Sequence, residues 1–218
     1  MITDACIFAN GDDLDILNQM IITAKSCGIS QVVVYNYPSN NLPDLYVGTK
    51  IRIGHIINEH TPRSIRDQIK NIPNNHVIMV KAGDNSFNRM VTTIKRINFL
   101  TGITELPKGG FDHIVARMAA DTNTGIVFDL SQIINPQFRR NALLKYAEIL
   151  NLHRKYKFPV VISSGANNIF GIKNYIEIVA LCSLFGMNRQ EVHTSLTNFD
   201  SIINPKCPVR LDGGDVDL

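Results

Sequence analysis

The chain has 218 residues, of which 44% are hydrophobic and 19% charged, and its formal net charge is +3. This length and apolar content favour one domain with one sizeable core, and the longest apolar runs are too short to span a bilayer. The first residues, Met-Ile-Thr-Asp, lack the charged and apolar regions of a secretion signal, so we expect a cytoplasmic protein.

Apolar runs and helical stripes alternate through the first half of the chain. In order, they predict a strand over residues 2–8, a helix from Leu14 capped by Asp12 or Asp13 and ended by Gly28, a strand over Gln31–Tyr35, a strand over 47–57, and a helix over 62–72. Thr61 is the expected cap of the last helix, because Pro62 then takes its first position.

The second half continues the alternation. It predicts strands over 76–80, 97–100, 125–130 and 158–162, and helices over 86–95 with Asn85 as cap, 112–121, 136–156, 172–185 and 189–198. In the helix over 172–185 the expected buried stripe is Ile172, Ile176, Val179 and Ala180.

About seven strands that alternate with helices predict an α/β fold with a parallel sheet. The pattern does not decide whether this sheet closes into a barrel, but the sequence has no dinucleotide-binding fingerprint and so disfavours a Rossmann fold. We expect one domain over residues 1–207 and an acidic, flexible tail over 208–218.

The four cysteines are scattered, at Cys6, Cys27, Cys182 and Cys207, with no CxxC pair or Cys/His cluster. A structural zinc site is therefore not expected, and reduced, mostly buried thiols are.

The apolar run Val160-Val-Ile162 ends in Ser163-Ser164-Gly165-Ala166. Small residues at the carboxyl end of a buried strand leave room for a ligand or for another backbone, and ligands of α/β proteins usually bind at that rim. The pattern also fits close packing of the strand on its helix, and we assign no catalysis to either serine.

Charge is unevenly distributed. Residues 1–48 hold five aspartates and one lysine, and the last eight residues hold three aspartates and no base, so the middle of the chain is basic. A basic body is typical of polyanion-binding proteins, although an ordinary solvated surface has the same composition.

Several basic residues lie at positions that suit phosphate binding. Arg139 and Arg140 open the long helix, where a cation opposes the helix dipole, so another interaction should favour them. His113 and Arg117 share one helical face just after Lys108-Gly109-Gly110, and the start of that helix could hold a phosphate.

Residues 160–187 read VVISSGANNIFGIKNYIEIVALCSLFGM and resemble the SSGA…LGM block of the ribonuclease P protein component 3 family, the archaeal counterpart of the thirty-kilodalton ribonuclease P subunit. Four other segments match patterns of the same family. They are Asn88-Arg89, the stretch GFDHIVAR over residues 110–117, Arg140 at the start of the long helix, and Lys155-Tyr156. One departure is Lys173, where the family usually has arginine and where bidentate phosphate binding is lost.

The resemblance implies a TIM-like barrel related to the polymerase and histidinol phosphatase fold. It also implies a protein subunit of the ribonucleoprotein that removes the 5′ leader from precursor tRNA, in which the RNA carries catalysis and requires Mg²⁺ while the protein binds no cofactor. The implied partners are the ribonuclease P RNA, precursor tRNA indirectly, component 2 in a heterotetramer, and other ribonuclease P proteins. The predicted RNA-binding residues are Arg89, Lys108, His113, Arg117, Arg140, Lys155 and Lys173.

Two other functions are considered. One is a barrel phosphoesterase with a degenerate metal site at His55, Asp4 and Asp129, although the chain has few of the strand-end ligands that such enzymes use. The other is a scaffold that holds a protein partner and does not bind RNA.

Overall fold

Strands and helices alternate as predicted in a computed structural model that describes residues 1–8, 14–38 and 42–204. Seven parallel strands follow one another around a nearly closed, TIM-like barrel in the order β1-β2-β4-β5-β6-β7-β8, and the short β3 pairs antiparallel with β4. The strands are β1 (Thr3–Phe8), β2 (Gln31–Tyr35), β3 (Leu45–Tyr46), β4 (Thr49–Ile57), β5 (Val77–Lys81), β6 (Phe99–Thr101), β7 (Gly125–Asp129) and β8 (Val160–Ser163).

The helices lie outside the barrel and follow the strands in sequence. They are α1 (Leu14–Ser26), α2 (Pro62–Lys70), α3 (Asn85–Thr92), α4 (His113–Thr122), α5 (Ser131–Ile134), α6 (Pro136–Tyr156), α7 (Tyr175–Ser183), α8 (Arg189–Thr197) and α9 (Phe199–Ile203), with 3-10 turns at Ile103–Glu105 and Ile169–Gly171. Among the described residues, none of these helices is long and apolar enough to cross a membrane.

The strands β1, β2, β5, β6, β7 and β8 are buried almost throughout, as their apolar runs predict, whereas β4 is partly buried and β3 is largely exposed. In β2, Val33 and Tyr35 pack in the barrel interior, whereas Val32 and Val34 pack against the helical layer. The first helix after β1 is present, but its predicted caps, Asp12 and Asp13, lie outside the described residues, as do Cys207 and the predicted tail. Of the three described cysteines, Cys6 and Cys182 are buried and all are free, which confirms that prediction for them.

The structure corrects the predicted cap of one helix and the start of one strand, and it adds a helix. Asp84, not Asn85, caps α3, and its carboxylate accepts the Phe87 N–H. The strand predicted over 47–57 starts at Thr49, because Val47 and Gly48 form the turn after β3 with positive φ. The structure also contains a helix that was not predicted, α9, which follows α8.

The helix predicted over 172–185 begins later and faces another way. Asn174 accepts the Glu177 N–H and Glu177 accepts the Asn174 N–H, so this capping box starts α7 at Tyr175. Ile176, expected in the buried stripe, is 78% exposed, and Ile178 and Cys182 are buried instead. Nearly every residue of this helix is apolar, so hydrophobicity alone did not define its phase.

Helix α9 closes the amino-terminal end of the barrel. The Phe199 ring packs on Phe99 with the ring centroids 5.3 Å apart, inside the cluster that fills the barrel. Asp200 forms an ion pair with Arg52 of β4, at 3.2 Å. An aromatic side chain and an ion pair therefore seal this end.

The first and last strands are joined by the Ser-Ser-Gly-Ala stretch that the sequence singled out. Ile7 forms a single parallel bridge with Ala166, and the Phe8 N–H donates to the Ala166 carbonyl at 2.7 Å. The Ser163 hydroxyl donates to the Cys6 carbonyl at 3.0 Å, and the Ser164 N–H donates to Asp4 Oδ1 at 2.9 Å. We call residues 163–166 and their β1 partners the barrel seam.

Gly165 lies in the seam with φ +61°, and a Cβ there would collide with the Asp129 carboxylate and the Ser131 hydroxyl. Gly165→Ala should therefore lower the free energy of unfolding by about 3 kcal/mol, from backbone strain and overpacking together. Urea unfolding measures the loss. The matched control is Gly28→Ala, because Gly28 has φ +83° but no atom near its Cβ position. It should lose only about 1 kcal/mol, and equal losses would contradict the steric role.

Asp4 makes the stability of the seam depend on pH. Burial raises the pKa of its carboxyl to about 6 from 3.8, against the opposing hydrogen bonds from Ser164 and Cys6. The folded chain thus holds this proton more tightly than the unfolded chain does. Asp4's contribution should be most favourable below pH 4, fall by on the order of 3 kcal/mol as the pH rises from 4 to 6, and stay level above.

Asp4→Asn keeps an acceptor for the Ser164 N–H and removes the titration. The difference in unfolding free energy between wild type and this variant, followed by urea unfolding from pH 4 to 7, should show that slope. Asp121→Asn, at an exposed aspartate, is the control. If the difference in unfolding free energy between wild type and Asp4→Asn does not change with pH, the pKa of Asp4 is not raised in the seam.

Candidate nucleic-acid interface

The family-like Asn88 is a buried tie between two turns. Its side chain accepts the Gly83 N–H at 3.0 Å and donates to the carbonyls of Gly83 and Gly110, at 2.8 and 2.5 Å. Gly110 has φ +91°, and a Cβ there would strike the Leu106 side chain. The turn after β5 and the turn before α4 are therefore held against each other at the carboxyl end of the barrel.

The start of α4 is already occupied by a carboxylate of this chain. Asp112 Oδ1 accepts the N–H groups of Ile114 and Val115 at 3.0 and 2.9 Å, and Arg89 forms an ion pair with Asp112 Oδ2 at 2.6 Å. Partial burial acts to raise the pKa of Asp112, but these N–H groups and the Arg89 guanidinium lower it on balance. The prediction that this helix end could hold a phosphate is therefore wrong, because Asp112 takes that place.

Three predicted residues around α4 are nonetheless exposed. Lys108 lies in the loop before the helix, and His113 and Arg117 lie one turn apart on its surface. Arg89 lies on α3, which packs against α4. The structure thus brings together four of the seven predicted residues; we call Lys108, His113 and Arg117 the α4 face.

The two arginines that open α6 differ. Arg139 donates through Nε to the Ile133 carbonyl and through Nη2 to the Ile134 carbonyl, both at 2.8 Å. It therefore caps the end of α5, which explains a cation at the start of α6. Arg140 is exposed and makes no ion pair with the described residues.

At the other end of α6, Arg154 forms an ion pair within the protein, whereas Lys155 is exposed beside the ring of Tyr156. Arg154 forms an ion pair with Glu191 of α8 at 2.7 Å, and also donates to the Gly186 carbonyl. Lys155 is exposed, with Nζ 5.2 Å from the centroid of the Tyr156 ring. Fifteen residues of helix separate Lys155 from Arg140, which is about 22 Å at 1.5 Å per residue, so the two cations lie at opposite ends of α6.

Lys173 is committed to its own loop. Its amine donates to the carbonyls of Phe170 and Gly171 at 2.8 and 2.9 Å, and more weakly to that of Ile172. These bonds hold the 3-10 turn that precedes α7. Lys173, which stands where the family usually has arginine, is therefore partly buried, and its amine has little hydrogen-bonding capacity left for a phosphate.

The alternative metal cluster does not assemble. Asp4 lies in the seam, Asp129 accepts the Ser131 N–H at 2.9 Å, and His55 Nε2 lies 2.9 Å from His76 Nδ1. In the part of the chain that the structure describes, no three His, Cys, Asp or Glu side chains are placed to hold a metal ion together. The alternative prediction of a metal site at His55, Asp4 and Asp129 is therefore wrong.

Two polar residues of α6 were missed, Asn141 and Lys145. Both reach the loop that carries Lys108, and Lys145 is only 8% exposed. The one available signal was that Lys145 falls among the apolar positions Ala142, Tyr146 and Ile149 of a buried helical stripe.

Comparison with known proteins identifies the family. The family model described as RNase P subunit p30 matches residues 1–206. A protein of Methanothermobacter thermautotrophicus named ribonuclease P protein component 3 is 29% identical over 204 residues, which cover 86% of this chain and 83% of that protein. A protein of the same name from Methanococcoides burtonii is 34% identical over 124 residues, covering 56% of this chain and 51% of that protein.

The fold is also that of a solved structure. One chain of a cryo-EM structure of archaeal ribonuclease P with mature tRNA superposes with a TM-score of 0.73 at 20% identity, covering 99% of this chain and 98% of that one. The predicted barrel and the predicted family resemblance are thus both confirmed. Because the family model spans nearly the whole sequence, this chain belongs to the RNase P subunit p30 family.

Proposed function

We propose that this chain is a protein subunit of ribonuclease P and supports removal of the 5′ leader from precursor tRNA by binding the catalytic RNA. The observation that carries the proposal is the family match over residues 1–206, and the relatives named as ribonuclease P protein component 3 support it. The exposed cations at the carboxyl end of the barrel supply the chemistry for binding RNA.

The α4 face and Arg140 are the proposed centre of the RNA interface. Lysine and arginine side chains bind phosphate oxygens and release the counterions that those phosphates hold, so each contact strengthens binding in a salt-dependent way. His113 adds a hydrogen-bond donor beside them. Lys155 is proposed as a second contact, at the far end of α6.

Arg89 and Lys173 are also proposed to contact RNA, but each contributes less than the exposed cations. Arg89 has further guanidinium donors beyond the one bonded to Asp112, so it could bind a phosphate next to α4. The Lys173 amine is surrounded by three carbonyls, so it offers RNA its charge and little hydrogen bonding.

We infer that the RNA, with Mg²⁺, performs the cleavage, and that this chain lowers the repulsion between RNA segments. The polar residues of the barrel rim support this division: Asp4, Ser163 and Asn88 are buried and bonded to the chain's own backbone. Neutralised phosphates let RNA helices approach one another with less Mg²⁺. We also propose that the protein itself binds no cofactor. We propose a cytoplasmic location, which cell fractionation would test.

The test is Arg117→Ala with Lys155→Ala in a holoenzyme reconstituted with its RNA and other subunits. The double variant should need several-fold more Mg²⁺ for half-maximal cleavage of precursor tRNA, and the salt slope of RNA binding should fall by about two units, one for each lost phosphate contact. Replacing the exposed Lys70 and Lys95 by alanine removes the same charge elsewhere and is the control. An unchanged Mg²⁺ dependence in the double variant would contradict the proposed interface.

We also propose that the chain assembles with component 2 in a heterotetramer and with other ribonuclease P proteins. If the chain is a subunit that itself binds RNA, the purified protein should shift ribonuclease P RNA in a gel and should also retain component 2 on an affinity column. A pure scaffold would retain component 2 and leave the RNA unshifted, and that result would favour the scaffold function.

A further inference from the structure

Lys145 is a buried cation on the apolar side of α6. It is 8% exposed and shares its helical stripe with Tyr146 and Ile149, which are buried hydrophobic residues. No carboxylate forms an ion pair with it among the described residues. Burial lowers the pKa of its amine, since the charged form loses hydration there. A methionine would fill the same volume without this penalty, so packing alone does not account for a lysine.

The Lys145 amine is used to bind the loop between β6 and α4. It donates to the Ile103 carbonyl at 3.2 Å and to the Gly109 carbonyl at 3.1 Å. Asn141, one turn earlier on α6, donates to the carbonyls of Thr104 and Leu106. Two side chains of one helix thus bind four carbonyls of one seven-residue stretch, residues 103–109.

This loop carries Lys108. The side chain of Lys108 is exposed, whereas the next carbonyl, that of Gly109, is bound by Lys145, and the following one, that of Gly110, is bound by Asn88. The backbone just beyond Lys108 is therefore held from α6 on one side and from α3 on the other. A loop of this length would otherwise have to be ordered when it binds, at a cost in conformational entropy.

We propose that Lys145, together with Asn141, is a positioning residue that holds Lys108 in the arrangement that binds RNA. The inference rests on the proposed function, because it assigns a purpose to the α4 face. Lys145 acts through the backbone of the loop and does not contact phosphate itself. Its charge strengthens the hydrogen bonds to the two carbonyls, since a charged donor binds more strongly than a neutral one.

Lys145→Met tests the inference, because methionine is unbranched and of similar volume but cannot donate to either carbonyl. Binding of the ribonuclease P RNA from the same organism should weaken about as much as in Lys108→Ala. The salt slope of this binding should fall by up to about one unit, because the phosphate contact of Lys108 is weakened even though Lys145 itself is buried. Lys145→Met in the Lys108→Ala background should cause little further loss, whereas in the Lys155→Ala background the two losses should add in free energy.

Ile149→Val is the matched control, since it truncates a core residue of the same helix that donates nothing to the loop. Amide hydrogen exchange over residues 103–110 should quicken in Lys145→Met and stay near wild type in Ile149→Val. If Lys145→Met does not fold, Asn141→Ala, at a half-buried residue, takes its place in the same measurements.

The outcomes separate the inference from the proposed function. If Lys108→Ala weakens RNA binding and Lys145→Met adds its own full loss on top, the positioning role is wrong and the RNA interface stands. If Lys108→Ala leaves RNA binding unchanged, the contact at Lys108 and the positioning role are both wrong. Equal losses that do not add, with faster exchange in the loop, support the inference.

Discussion

The join between β1 and β8 is the constraint on which the rest of the barrel depends. A parallel sheet that closes on itself must satisfy the backbone groups of its first and last strands, because both strands are buried. Here β8 has only four residues, and one bridge joins Ile7 of β1 to Ala166, three residues after the end of β8. Side chains complete the join: the Ser163 hydroxyl and the Asp4 carboxylate bond to backbone groups of the opposite strand.

The same device recurs around the carboxyl rim. Tyr146 donates to the Asp129 carbonyl and accepts the Asp129 N–H, and Asn88 bonds to both Gly83 and Gly110. The residues that carry the family resemblance at this rim are thus largely ties between loops, buried and hydrogen-bonded. Their small or polar side chains suit close backbone approach, which is why a pattern that suggests an active-site rim here describes a structural one.

Local sequence predicted the elements whose signals are local. The helix over Pro136–Tyr156 was predicted with its bounds, because proline marks its first turn and a stripe runs through it. Helix α7 was predicted with the wrong start and phase, because an almost wholly apolar segment has no polar side to define the buried face. Helix α9 was missed because five residues are too few for a periodic pattern, and packing of Phe199 on Phe99 stabilises it.

The candidate interface shows the same division. The sequence by itself determined the alternation of strands and helices, the family, and the set of basic residues, since these depend on residue order and composition. Only the three-dimensional structure decided that the sheet closes, that Asp112 occupies the start of α4, and that Arg139 is used internally while Arg140 is exposed. It alone revealed that Lys145 supports the loop of Lys108. The physical reason for the closure and for the role of Lys145 is that their bonds join groups far apart in the chain, up to 160 residues for Ser164 and Asp4, so no local period records them. The bonds of Asp112 and Arg139 are local, and there the direction that each side chain takes in the fold decides its partner.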